Sequence, residues 1–188
     1  MPDRLGELFR MQRSLNEVIF ERHPPDFSRV PEPAGQARFP FARVARPDEA
    51  RLIWQAFIDG TAPPEAVRDW LLNYARALLH EATELEDSCN WKWWSNDPPI
   101  DLQNARVEVI DLWHFLISAS LVVGLKPQDV YEVYRQKWRV NRARQERGYS
   151  RAGKDEAENR AIGIKRRPKR PKAKPKARRK GRRKAKKA

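Results

Sequence analysis

An all-α fold is expected from three features of this sequence. No segment alternates polar and apolar residues with period two for long enough to make a convincing strand. Several segments instead repeat apolar residues at helical spacing, and the residues between them are helix starters and stoppers such as Pro, Asp and Gly. Four or five such helices joined by loops suggest a helical bundle.

The first helix is expected over residues 4–22, where Leu5, Leu8, Phe9, Leu15, Val18 and Ile19 recur and Gln12 and Asn16 stand one turn apart. Pro24 and Pro25 end it. Residues 23–47 hold six prolines and no clear periodicity, so they read as a long irregular connection, of a length that is usually functional or mobile. Pro47-Asp48-Glu49 starts a second helix that runs to Gly60. Pro63-Pro64 opens a third, because proline fits a first turn whose N–H groups lack partners anyway. Its stripe of Val67, Trp70, Leu71, Tyr74, Leu78 and Leu85 is expected to be buried, and it runs to about Asp87. After the loop NWKWWSNDPPI, Asp101 is a suitable N-cap for a helix over 102–123 that Gly124 ends. That helix is apolar on nearly every side from Val109 onward and is expected to be central. Pro127 opens the last, which Gly148-Tyr149 closes.

The net charge of +14 belongs to one end of the chain. Of the 39 Lys and Arg residues, 16 fall in 165–188, which holds no acid, and the remaining 23 face 25 acids. A domain over residues 1–150 is therefore expected, followed by a disordered Lys/Arg/Pro/Ala-rich tail over 151–188 that is too polar to bury a core. A tail of this kind binds nucleic acid nonspecifically and with strong salt dependence. Cys89 is the sole cysteine, so no intrachain disulfide can form; it is expected to be a small packed residue. No N-terminal run is long enough for a signal peptide, and the apolar stretch from Val109 to Leu125 contains Asp111 and His114. A cytoplasmic protein with no membrane segment is expected.

Chemistry concentrates in residues 81–111. Glu81 and Glu84 are three residues apart on one helix, and Glu108 and Asp111 are three apart on the next. Such pairs point the same way, so two of them on facing helices surround one small volume. Like charges held together need cations, and oxygen-only ligands favour a hard ion such as Mg²⁺ that joins carboxylates to phosphates. Isolated acid pairs also occur on solvated helix faces. A di-iron site is disfavoured, because it requires Glu-x-x-His on two helices and His80 is out of place for the first.

ExxE followed at a distance by ExxD resembles the metal signature of the all-α nucleoside triphosphate pyrophosphatases, the MazG-like superfamily. HEATELEDSCNWKWW and EVIDLWHFLISASLVVG together resemble the dimeric dUTPases more specifically, with a likeness spanning residues 5–149. The resemblance implies Mg²⁺-dependent hydrolysis of dUTP, and of dUDP, to dUMP by attack of water on the α-phosphorus, in a homodimer. It implies Glu81, Glu84, Glu108 and Asp111 as ligands, with Glu81 or Glu84 also acting on the water. MQRSLN resembles the segment whose amides face the base, which maps to Gln12 and Asn16; the alternative is exposed polar residues on an amphipathic helix. KWRVNRARQERGY resembles the phosphate-binding segment, mapping to Lys137, Asn141, Arg144 and Tyr149, with a solvated basic face as the alternative. Trp91, Lys92 and Trp94 are expected to wall the nucleotide site or, alternatively, the indoles cover the end of the bundle or the dimer interface. Two other functions stay open: a pyrophosphatase for another nucleotide, and a nucleic-acid-binding protein acting through its tail.

Overall fold

The computed structural model describes residues 3–32, 39–148 and 156–164, and among these there are helices and no strand. The helices are α1 (Arg4–Arg22), α2 (Ala50–Asp59), α3 (Pro64–Asp87), α4 (Leu102–Val122), α5 (Pro127–Glu146) and the short α6 (Glu156–Arg160). Their ends follow the local chemistry. Asp3 accepts a hydrogen bond from the Gly6 amide at 2.9 Å, and Asp101 accepts one from the Asn104 amide at 3.0 Å, so each satisfies an amide its helix leaves open. Gly60 ends α2 at φ 67°, in the left-handed region where glycine has no Cβ to clash.

One end of the bundle holds the core. Phe9 and Phe20 of α1, Ile53, Trp54 and Phe57 of α2, and Ile117, Leu121 and Val122 of α4 are buried in one cluster. Each such side chain contributes roughly 1.5–3 kcal/mol when fully buried. The connection after α1 belongs to this core: Phe27, Val30, Phe41 and Ala45 are buried in it. Its strands of chain are tied by Phe27 N–H to Arg43 O at 3.0 Å and Ala45 N–H to Pro25 O at 2.9 Å. Arg43 and Glu49 add an ion pair at 2.6 Å, and that guanidinium holds the Glu49 carboxyl down to about 2. Over its described residues the proline-rich stretch is thus a plug for the apolar end, where a functional or mobile loop was expected. Periodicity could not show this, because the burial comes from irregular backbone.

The other end is the antiparallel pair of α3 and α4, which pack on each other more extensively than any other two elements. Two expectations are corrected here. The stripe on α3 is only half-buried: Val67, Trp70, Tyr74, Leu78 and Leu85 are intermediate and Leu71 is exposed. Likewise α4 is covered on one side only, leaving Val109, Ile110, Trp113 and Leu116 exposed. Helix α5 turns away from α4 by 101° and packs on α1 and α6. Residues 156–164, inside the stretch assigned to the tail, carry α6; Tyr149 and residues 165–188 lie outside the described residues. Among the described residues, no single helix is long and apolar enough to cross a membrane.

Candidate functional site

The loop between α3 and α4 sets the register of the acids. It is closed by Asp101 N–H to Ser88 O at 2.8 Å, by an isolated bridge between Cys89 and Ile100, and by Asn104 Nδ2 to Ser88 Oγ at 2.9 Å. Glu81 lies seven residues before Ser88 and Glu108 seven after Asp101, so this closure sets the two opposite each other. Their carboxylate oxygens and that of Asp111 lie within 4.8 Å of one another. Glu108 is buried at 8% exposure, while Glu81 and Asp111 are half-buried.

Desolvation and then repulsion from Glu84, Asp111 and Glu108 push the Glu81 carboxyl above its ordinary value. Among the described residues no ion pair neutralises Glu81, Glu108 or Asp111. Three crowded carboxylates with only the His80 imidazole near Glu81 to oppose their charge form a donor set suited to a hard divalent ion, so the residues present fit Mg²⁺. Glu84 stands at the rim. It is exposed, pairs with His80 at 2.9 Å, and shares a second grouping with Glu81 and His80.

The amides of α1 enter a different cluster on the same helix. Gln12 and Asn16 are buried, against the exposed surface positions of the alternative reading. Gln12 Nε2 donates to Asn16 Oδ1 and to Ser118 Oγ, both at 3.0 Å, and Asn16 Nδ2 donates to Ser118 Oγ at 3.1 Å. His114 Nδ1 lies 2.6 Å from Gln12 Oε1. Tyr74, whose phenol is pushed up by burial, faces Ser118 from the α3 side. Asp111 and Ser118 are seven residues apart, so they share a face of α4 at a separation of roughly 10 Å. That is comparable with the distance from base to phosphate in a nucleotide.

The basic residues of α5 are not drawn to the acids. Arg144 is buried and pairs with Glu158 at 2.8 Å, Arg147 pairs with the same carboxylate, and Lys137 donates to Asn159. Asn141 is exposed. These two guanidinium groups hold the Glu158 carboxyl below its ordinary value, Arg147 most strongly.

Trp91 and Lys92 line a cleft of about 440 Å³ that also takes in Asp87 and Asp101. The four acids are absent from its lining, and so is Trp94, which stands edge-on to Trp91 and Trp93. Trp93 is 89% exposed. Cys89 is exposed as well, a correction to its expected packing, because the bridge to Ile100 holds its backbone at the surface of the loop.

Sequence reasoning assigned no role to Ser118 or Glu158, and marked Tyr74 only as part of the α3 stripe and His80 only as misplaced for a di-iron site. A signal existed for Ser118: a hydroxyl in the apolar run LISAS, one turn after His114, needs a polar partner. Glu158 carried none, since its role depends on where α6 docks.

An all-α bundle in which two antiparallel helices pool carboxylates offers a donor set for a hard cation of the kind that joins carboxylates to phosphates. Residues 53–127, which span α2 to α4 and carry both acid pairs, match the family model described as dUTPase. This segment, 75 of the 188 residues, is therefore similar to the all-α dUTPases, a family of nucleotide hydrolases. No curated protein and no solved structure matches it. Both the amides of α1 and the basic face of α5 lie outside the matched segment.

Proposed function

We propose that this protein is a Mg²⁺-dependent dUTP diphosphatase that converts dUTP, and also dUDP, to dUMP. The observation that carries this reading is the trio of Glu81, Glu108 and Asp111 with the amide cluster two turns further along the same face of α4. Glu81, Glu108 and Asp111 hold the ion. Mg²⁺ held by them would neutralise charge on the phosphates and make water easier to deprotonate. Glu84, at the rim beside His80, orients the attacking water and takes its proton. The new bond joins the water oxygen to the α-phosphorus, and the bond from that phosphorus to the bridging oxygen breaks, releasing pyrophosphate from dUTP and inorganic phosphate from dUDP.

Gln12 and Asn16 read the base. With both lone pairs of Ser118 taken by the two amide NH₂ groups, Gln12 Oε1 keeps one acceptor site and Asn16 Nδ2 keeps one N–H. Uracil offers a donor at N3 and an acceptor at O4, which match that pair; cytosine seated the same way meets it with like against like. Lys137, Asn141, Arg144 and Tyr149 bind the remaining phosphates, for which Arg supplies forked donors. Glu158 and Asn159 then have to leave Arg144 and Lys137 as the triphosphate arrives.

The exposed apolar faces of α1 and α4, including Met11, Leu15, Ile110, Trp113 and Leu116, support a homodimer. Ile110→Glu is expected to shift the protein to monomer in gel filtration; an unchanged elution volume would move the interface elsewhere. The tail of residues 165–188 holds the enzyme on nucleic acid as an accessory, and the lone Cys89 suits a reducing cytoplasm.

The deciding measurement is pyrophosphate release from dUTP, dCTP, dTTP and UTP with Mg²⁺. Preference for dUTP is expected; preference for another nucleotide would keep the class and discard the substrate. Glu84→Gln separates base from ligand: it is expected to lose turnover while keeping the wild-type affinity for Mg²⁺ in calorimetry. An affinity loss equal to that of Asp111→Asn would make Glu84 a ligand instead.

A further inference from the structure

We infer that Ser118 and His114 are the positioning residues that set base selectivity, by fixing which way the amides of Gln12 and Asn16 face. This rests on the assignment of those amides to the base. An amide side chain has two nearly isosteric ends, one donating and one accepting, so a Gln or Asn that is free to turn over can greet uracil or cytosine equally. Selectivity therefore requires something that forbids the flip.

Ser118 supplies the first constraint. It is fully buried on α4, with Gln12 Nε2 and Asn16 Nδ2 at 3.0 and 3.1 Å from its Oγ. A hydroxyl has one proton and two lone pairs. Its nearest acceptor is the His114 carbonyl at 3.0 Å, one turn back on the same helix, closer than Asn16 Oδ1 at 3.4 Å; a proton directed to that carbonyl leaves the lone-pair side of the oxygen to the amides. Both NH₂ groups must therefore point at Ser118. Turning either amide over would set a carbonyl oxygen against Ser118 Oγ and force its proton away from the His114 carbonyl, which would then lose that bond inside a buried cluster.

His114 supplies the second constraint. The atom 2.6 Å from its Nδ1 is Gln12 Oε1, which can only accept, so Nδ1 carries the proton and holds the oxygen end of Gln12 in place. Gln12 is thereby clamped at both ends, by Ser118 on its nitrogen and His114 on its oxygen. His114 is exposed where its partners are buried, so it marks the side on which this cluster meets solvent and a base can approach. Neither residue is in the grouping of Glu81, Glu108 and Asp111, which separates this role from metal binding.

The test compares wild type with Ser118→Ala, His114→Leu and His114→Asn, measuring kcat and KM on dUTP and dCTP with Mg²⁺, and ion affinity by calorimetry. Asparagine can present its Nδ2–H where the imidazole presents Nδ1–H, and leucine cannot. Ser118→Ala and His114→Leu are expected to lower the preference for dUTP over dCTP by about tenfold or more, mainly through KM for dUTP, with ion affinity unchanged. His114→Asn is expected to stay within about threefold of wild type. Because His114 is exposed, its variants report even if Ser118→Ala folds poorly. Unchanged preference in His114→Leu, or an equal loss in His114→Asn and His114→Leu, overturns the inference while leaving the enzyme reading intact. A wild-type enzyme that does not prefer dUTP overturns the assignment of the amides to the base, and this inference with it.

Discussion

The two ends of the bundle are built on opposite principles. At one end Phe20, Trp54, Phe57 and Phe27 interlock, with ring centroids 5.0 Å apart for Phe20 and Trp54 and 5.6 Å for Trp54 and Phe57. At the other, Glu81, Glu108 and Asp111 crowd together on a helix pair whose outer faces keep Leu72, Leu79, Ile110 and Trp113 exposed. The aromatic end stabilises the fold and performs no chemistry. The acid end carries repulsion that folding alone would not select, and it is held in place by the loop closure at Ser88 and Asp101. Separating the two lets an unfavourable cluster persist, because the core elsewhere supplies the stability.

Substitutions can break this contrast, starting with the largest effect. Asp111→Asn should reduce turnover by about 10³-fold or more, since it removes an ion ligand, while the thermal midpoint of the metal-free protein holds or rises. A drop in that midpoint would mean that Asp111 stabilises the fold and the separation is false. At the aromatic end the outcome should invert. Trp54→Ala should cost about 3–5 kcal/mol in denaturant unfolding and leave KM for dUTP unchanged in the folded fraction. Trp54→Phe should cost far less, about 1.5 kcal/mol or below, because the buried indole N–H has no partner to lose.

A pH series sharpens the comparison further. The Glu81 carboxyl is raised above 4.5 by burial and by its acidic neighbours. Between 4.5 and that raised value the folded state keeps a proton that the unfolded state has released, so metal-free stability falls as pH rises through the window. Melting curves should show this fall in wild type, its disappearance on adding Mg²⁺, and a flatter profile in Glu81→Gln. A wild-type slope identical to that of Glu81→Gln would deny the strain at the acid end. The smallest effect is expected from Glu158→Gln, which weakens the hold of α6 on Arg144 and Arg147: KM for dUTP should drop by about threefold. A raised KM would mean that Glu158 helps to shape the phosphate site.

Legibility in the sequence was uneven for a physical reason. Helix bounds were readable because caps such as Asp101 and stops such as Gly60 act on their own neighbours. The acid pairs were readable because three-residue spacing on a helix fixes direction, whatever surrounds it. The core role of Phe27, Val30 and Phe41 was not, since irregular backbone has no period to betray which side faces in. Nor was the partial exposure of α4: an apolar surface reads the same whether this chain or a second one covers it.

By itself, then, the sequence determined an all-α chain with two facing acid pairs and a basic end, because these follow from local spacing and composition. Only the tertiary structure decided that Glu81 meets Glu108 and Asp111 while Glu84 turns to His80. It also decided that Ser118 gathers the two amides of α1, and that α6 sits on the cations of α5. Each of these joins residues far apart in the chain, and such contacts are set by how whole helices pack.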